Sequence, residues 1–158
     1  PLGSERMSDE LTTGELAELI SRGGPFSAGS SITADELIES LGELLRHNAH
    51  PEFKTVMASE SVTQEYPGIE GFEEAWTDWI YPYESFRIAL DKVLRREARL
   101  VFLVRQIATT RHSGVEVETP SAAVWWLEDA QIRQAAFYLD QHAGLRAAGI
   151  DPDRPSGE

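Results

Sequence analysis

Four apolar runs between Phe86 and Leu139 constrain this chain more than any other feature. Residues 86–94, 100–107, 115–127 and 132–139 have strand length, and short polar turns separate them. The turns are Arg95-Arg96-Glu97-Ala98, His112-Ser113-Gly114 and Glu128-Asp129-Ala130-Gln131, so the connections read as hairpins and the runs as an antiparallel meander. Pro120 lacks a backbone donor and predicts a bulge or bend within the third run. A sheet of this kind, curled and capped on one face by amphipathic helices, encloses a cone able to hold a small molecule.

Helical spacing supplies the cap. Thr12 and Glu15 have capping-box spacing ahead of Leu16, Leu19 and Ile20, which predicts a short helix ending at Gly23-Gly24-Pro25. Residues 23–31 lack apolar spacing and read as a loop or flap, with Phe26 and Ile32 as anchors. Thr33 and Glu36 repeat the box, and Leu37, Leu41, Leu44 and Leu45 follow on one face until His47-Asn48-Ala49-His50-Pro51. Residues 53–57 and 61–66 are candidate short strands. After Pro67-Gly68, the residues Ile69, Phe72, Trp76, Trp79 and Ile80 share a broad helical face that Pro82 ends. Residues 141–150 predict a last short helix stopped by Gly149. The expected fold is therefore α+β, with three N-terminal helices on a strongly curved, mostly antiparallel sheet that forms a cone with an internal pocket.

Length and charge bound the partners. A chain of 158 residues suits one domain. Residues 1–6, beginning Pro1-Leu2-Gly3-Ser4, read as an expression-tag remnant, 7–50 as helices and loop of the same domain, 51–150 as its core, and 151–158 as a flexible polar tail. With 27 acidic and 14 basic side chains the formal charge is -13, which disfavours nucleic acid and anionic membrane. There is no cysteine, which excludes disulfides and thiolate chemistry and agrees with a cytoplasmic protein. No apolar run is long enough to span a bilayer.

Several strings resemble the SnoaL-like group of the nuclear transport factor 2-like superfamily. They are Tyr66-Pro67-Gly68-Ile69-Glu70-Gly71-Phe72 with Trp76 and Trp79, Phe102-Leu103-Val104-Arg105, Ser113 to Glu118 with Ala123-Val124-Trp125, and Phe137-Tyr138-Leu139-Asp140 with Gly144-Leu145-Arg146-Ala147-Ala148-Gly149. The likeness spans residues 51–150. It implies a cone of helices against a bent mixed sheet, commonly a homodimer through the outer sheet face, in a superfamily that includes cyclases, isomerases, epoxide hydrolases, dehydratases and binding proteins. An epoxide hydrolase-like arginine followed two residues on by aspartate is absent, since Gln106 and Ile107 follow Arg105.

Proton transfer in an apolar cone needs a desolvated acid or base and a donor where negative charge develops. Asp140 and Tyr138 share a face of the last strand, as a base with a phenolic donor or as a strand-end cap beside a packed ring. Arg105 lies in an apolar strand and needs a partner. Glu118 is the nearest across the hairpin, in an outer-face ion pair or as part of an anion anchor. Asp78 is a candidate rim acid. Trp76, Tyr66, Phe102 and Trp125 are the expected ligand-lining residues. The spacing of His47 and His50, with Glu52 close by, straddles a helix end and Pro51 and reads as a helix-terminal histidine cluster, His112 sits in a turn, and no metal or cofactor is expected. The cluster Lys92, Arg95, Arg96 and Arg99 reads as a solvated hairpin edge.

The expected function is cofactor-independent isomerase, cyclase or dehydratase chemistry on a small apolar, polyketide- or steroid-like molecule. The alternative is a non-catalytic small-molecule binding or sensor protein, or a dimeric interaction module. An enzyme requires an acid facing the cone, whereas a binder requires only apolar lining and neutral donors. Trp125 and Trp126 are consecutive, so one faces outward and needs cover, which a second copy could provide.

Overall fold

The computed structural model describes residues 14, 15, 18, 31–59, 62–151 and 153. Residues 14, 15 and 18 are helical, where the first short helix is expected, while the loop over 23–30 and most of the tail lie outside the described residues.

Seven strands form one curled, open sheet in the order β1-β4-β5-β6-β7-β2-β3. They are β1 (Ser31–Thr33), β2 (Ala49–Ala58), β3 (Thr63–Pro67), β4 (Tyr83–Arg96), β5 (Arg99–Thr110), β6 (Glu116–Glu128) and β7 (Gln131–Tyr138). All pairings are antiparallel except β2 on β7. The four predicted runs are β4 to β7, and their meander follows from the turns between them. Glu97, Asp129 and Ala130 take positive φ, the geometry by which two-residue turns match the twist of hairpin strands.

Pro120 does not bulge. The β5–β6 ladder is continuous through the pair Arg105–Pro120, while β7 joins β6 only from Ala122 onward. One side of Pro120 therefore has no strand to receive a donor. The register shifts fall elsewhere, between Ala49 and Lys54, between Tyr83 and Ser85, between Leu90 and Lys92, and between Trp126 and Leu127.

Helix α1 (Ala34–Asn48) starts at the predicted box: the Glu36 amide donates to Thr33 Oγ1 at 3.2 Å, and the Thr33 amide donates to Glu36 Oε1 at 2.9 Å. Helix α2 (Gly68–Ile80) ends just before Tyr81-Pro82, and Gly71 is required there because a Cβ would stand 2.6 Å from the Tyr66 carbonyl carbon. Helix α3 (Gln141–Ala147) is the short C-terminal helix expected over residues 141–150, so the helices are not all N-terminal.

Strand alternation divides the core in two. The inward face joins Phe53, Met57, Phe86, Ile88, Leu90, Leu100, Phe102, Val104, Trp125 and Phe137 to Leu37, Leu41 and Leu45 of α1 and Phe72 and Trp76 of α2. The outward face joins Leu94, Val101, Leu103, Ala122 and Val124 to Leu145, Ala148 and Ile150. Gly149 closes α3 at φ +81°: its amide donates to Arg146 O at 3.0 Å, and the Ile150 amide donates to Leu145 O at 2.9 Å. This left-handed stop turns Ile150 back beside Leu145, so that a short helix anchors two apolar side chains on the sheet. Arg99 adds a 2.8 Å bond from Nη1 to Ala148 O.

Candidate functional site: the cone interior

Inside the cone, between α1, α2 and the inward sheet face, lies a cavity with about 40 Å³ of room for the centres of water-sized spheres. A single water needs roughly 10–15 Å³ on this measure, so the space suits a molecule of a few heavy atoms. Leu37 and Leu41 form its α1 side, Trp76 its α2 side, and Ile88, Phe102, Val104, Ala123, Trp125 and Phe137 much of its sheet wall. No titratable side chain lines it among the described residues.

Aromatic edges shape the wall. The Trp76 ring meets Phe86 and Phe137 edge-on, with centroids 6.0 and 5.0 Å away, and Phe102 meets Trp125 in the same way at 5.9 Å. Polar character comes from two groups. Gln106 is buried on the inward face of β5, and its Oε1 accepts from Trp79 Nε1 at 3.2 Å. Trp76 is fully buried and its indole Nε1 has no partner. Buried donors without acceptors are rare, because the lost hydration is not replaced. Thr55 Oγ1, on the inward face of β2, is also buried and unpartnered, although Thr55 does not line the cavity.

Three of the four expected lining residues, Trp76, Phe102 and Trp125, are on this wall. Tyr66 is not. It belongs to β3 and lines a separate shallow groove with Asp78, its hydroxyl donating to Gln64 Oε1 at 3.0 Å. Burial first, then the nearby charges of Asp78 and Glu74, push its pKa up.

The four expected proton-transfer residues lie outside the cavity, and for Arg105, Glu118 and Tyr138 the reason is strand parity. Arg105 shares the outward face with Val101 and Leu103, while Phe102 and Val104 turn inward. It pairs there with Glu118 at 2.8 Å, and Asp91, the unpaired residue of the β4 bulge, takes it at 2.9 Å. These two carboxylates, Asp91 first, hold the guanidinium pKa above its usual value. Tyr138 is likewise outward and half-buried against Ala122 and Leu145, and burial pushes its phenol pKa up. Asp140 is the N-cap of α3: its Oδ1 accepts from the His142 amide at 3.3 Å. Tyr138, Asp140 and His142 do share an open cleft at the outer rim with Ser59 and Arg146.

Two features were missed from sequence. Gln106 was read only as a departure from an enzyme motif, although its even-numbered place beside Phe102 and Val104 marks it as inward. His50, Glu128 and Asp129 bring ligand atoms within 4.8 Å of one another, a grouping that the β2–β7 pairing creates. Glu128 there also faces Arg133 Nε at 3.4 Å, a cation already in place. The outward Trp126 packs on the cluster that α3 completes, so the chain itself supplies part of the cover expected from a second copy. No helix among the described residues is long and apolar enough to cross a membrane.

Comparison by structure agrees with this geometry. A candidate SnoaL-like polyketide cyclase from Jannaschia sp. CCS1 superposes with a TM-score of 0.55 at 15% identity, covering 81% of this chain and 85% of that one. A second, from Mesorhizobium loti, gives 0.54 at 13% identity over 81% and 99%. A protein of ketosteroid isomerase-like fold from Catenulispora acidiphila, solved with trimethylamine, gives 0.52 at 12% identity over 87% and 91%. Compared by sequence, the chain matches no protein-family model and no curated protein. It has the SnoaL-like, nuclear transport factor 2-like fold. At these identities the likeness speaks for the fold alone.

Proposed function

We propose that this protein binds a small, largely apolar molecule inside its cone without acting on it by acid–base chemistry. The observation that carries this reading is the cavity wall: apolar and aromatic side chains with one amide and one indole N–H, and neither acid nor base among the described lining residues. Proton transfer requires a group that can exchange a proton within hydrogen-bond reach of the ligand, and neutral amides and indoles do not serve at ordinary pH.

Xenon tests the cavity directly, because it enters small apolar spaces without needing a hydrogen bond. Methyl resonances of Leu37, Leu41 and Val104 should shift under xenon pressure, and Ala123→Leu, which fills the space, should suppress the shifts. Unmoved methyls in the parent protein would sink the reading.

The outer-rim cleft favours a second reading, since it gathers Tyr138, Asp140 and His142 in one open site. Under that reading the protein should catalyse deuterium exchange into the α-carbons of a ketone. Asp140→Asn should lower that rate about 10²-fold while fold and ligand affinity hold. Absence of catalysed exchange in the parent protein removes it.

A further inference from the structure

Several acids of this chain already face a cation. Asp91 and Glu118 hold Arg105, Glu128 faces Arg133 and Asp140 faces Arg146. Asp78 differs. It borders the groove between α2 and the β2–β3 pair, together with the rings of Tyr66 and Trp79 and the apolar Met57, Val62 and Ala75. No cationic side chain is among the described lining residues. Neither Asp78 nor Glu74, one helical turn away and also exposed, has an ion-pair partner among the described residues. Their field reaches the groove, because after burial it is these two carboxylates that raise the Tyr66 phenol pKa. Both rings are held by their polar tips: the Tyr66 hydroxyl donates to Gln64 Oε1 at 3.0 Å and Trp79 Nε1 to Gln106 Oε1 at 3.2 Å. Neither ring packs against another.

We infer that this groove binds a small organic cation, an alkylated ammonium group set against the Tyr66 and Trp79 rings with Asp78 as its counter-ion. The groove has about 100 Å³ of room for the centres of water-sized spheres, where one water needs roughly 10–15 Å³. An aromatic ring attracts a cation through its quadrupole, and the carboxylate adds its charge. A hard divalent ion instead takes about six oxygen ligands, whereas this wall supplies one carboxylate. A neutral molecule would strip water from Asp78 without replacing it, and an anion would be repelled. The formal charge of -13 steers cations toward the chain as a whole. The groove is separate from the cone, so the inference stands or falls independently of the cavity.

The test titrates the full ¹⁵N-labelled chain with choline and with its uncharged isostere, which has carbon in place of the nitrogen, at constant ionic strength. Choline should bind about ten-fold tighter than the isostere. Its N-methyl protons should give intermolecular Overhauser effects to the Trp79 and Tyr66 rings. Asp78→Asn keeps the shape and removes the charge, and should weaken choline about five-fold. Glu39→Gln, the same charge change on the exposed side of α1, should not. Tyr66→Leu, on an edge strand, should also weaken choline; should that variant fail to fold, the comparison in the parent protein still decides. Equal affinity for choline and the isostere, binding of neither, or Overhauser effects confined to other rings overturns the inference. A loss in Glu39→Gln as large as in Asp78→Asn overturns it too, since it would show only diffuse attraction to an acidic surface.

Discussion

The two faces of the sheet are built from the same strands and differ in nearly everything else. The inward face is neutral and aromatic and incompletely filled, and it keeps a buried donor without an acceptor at Trp76. The outward face is covered in part by α3 and carries Arg105, Glu118, Asp91 and Tyr138. A period of two separates them: within β5, Phe102, Val104 and Gln106 point one way and Val101, Leu103 and Arg105 the other. Chemistry-bearing side chains close in sequence to the cavity are therefore kept out of it. A charged group is tolerated where solvent and partners reach it and is excluded where they do not.

The largest expected effect comes from opening the inward face further. Leu41→Ala removes buried methyl groups beside an existing void, which cannot close without moving α1. It should cost about 3 kcal/mol by urea denaturation. It should also enlarge the space beside Trp76 and Phe102, read as xenon affinity that rises while stability falls. A loss of stability with no gain in binding would mean that α1 collapses onto the sheet and that the cavity is a packing fault.

A smaller loss is expected on the outward face, where α3 already packs closely on β6. A Cβ at Gly144 would stand 2.6 Å from Ala122 Cβ. Gly144→Ala should therefore push α3 off the sheet at a cost of about 2 kcal/mol. Amide exchange should speed up in α3 while residues 100–107 stay protected. Exposed Leu94, Leu103 and Val124 should then promote self-association by light scattering, and an unchanged α3 would show that the close approach is easily relieved.

The sequence made these faces legible unevenly. The four meander strands were readable because alternation and turn chemistry agreed. Within the described residues the helix ends at Thr33 and Gly149 were readable too, and Asp140 was weighed as a cap. Strands β2 and β3 were faint because their residues are largely polar: β3 reads Thr-Gln-Glu-Tyr-Pro and lies at a sheet edge. The site was half legible. Aromatic residues at helical or strand spacing marked Trp76, Phe102 and Trp125, since large apolar groups seek the interior. The expected proton-transfer residues were not placed on a face because residue type was weighed above parity: Arg105, Glu118 and Tyr138 all fall on the outward register. Gln106 was overlooked because an amide carries no charge to draw attention, although its register matched the pocket. The His50, Glu128 and Asp129 grouping depended on a parallel pairing that joins distant segments, which spacing along the chain cannot reveal.

The smallest expected effect separates the faces by pH. Burial favours the neutral phenol of Tyr138, so its folded pKa lies above the unfolded value of about 10. Below pH 10 the phenol is protonated in both states and contributes no slope. Above it the unfolded chain loses the proton first, the native state binds more protons than the unfolded one, and stability falls as pH rises. Tyr138→Phe should flatten part of that alkaline decline in urea midpoints between about pH 9 and 11 and leave the neutral-pH midpoint nearly unchanged. Tyr66→Phe is the control, because Tyr66 is also shifted upward but sits away from α3. If Tyr138→Phe leaves the alkaline slope intact while Tyr66→Phe flattens it, the outer rim is wetter than its packing against Leu145 indicates. Amide exchange in α3 should then be fast even in the parent protein.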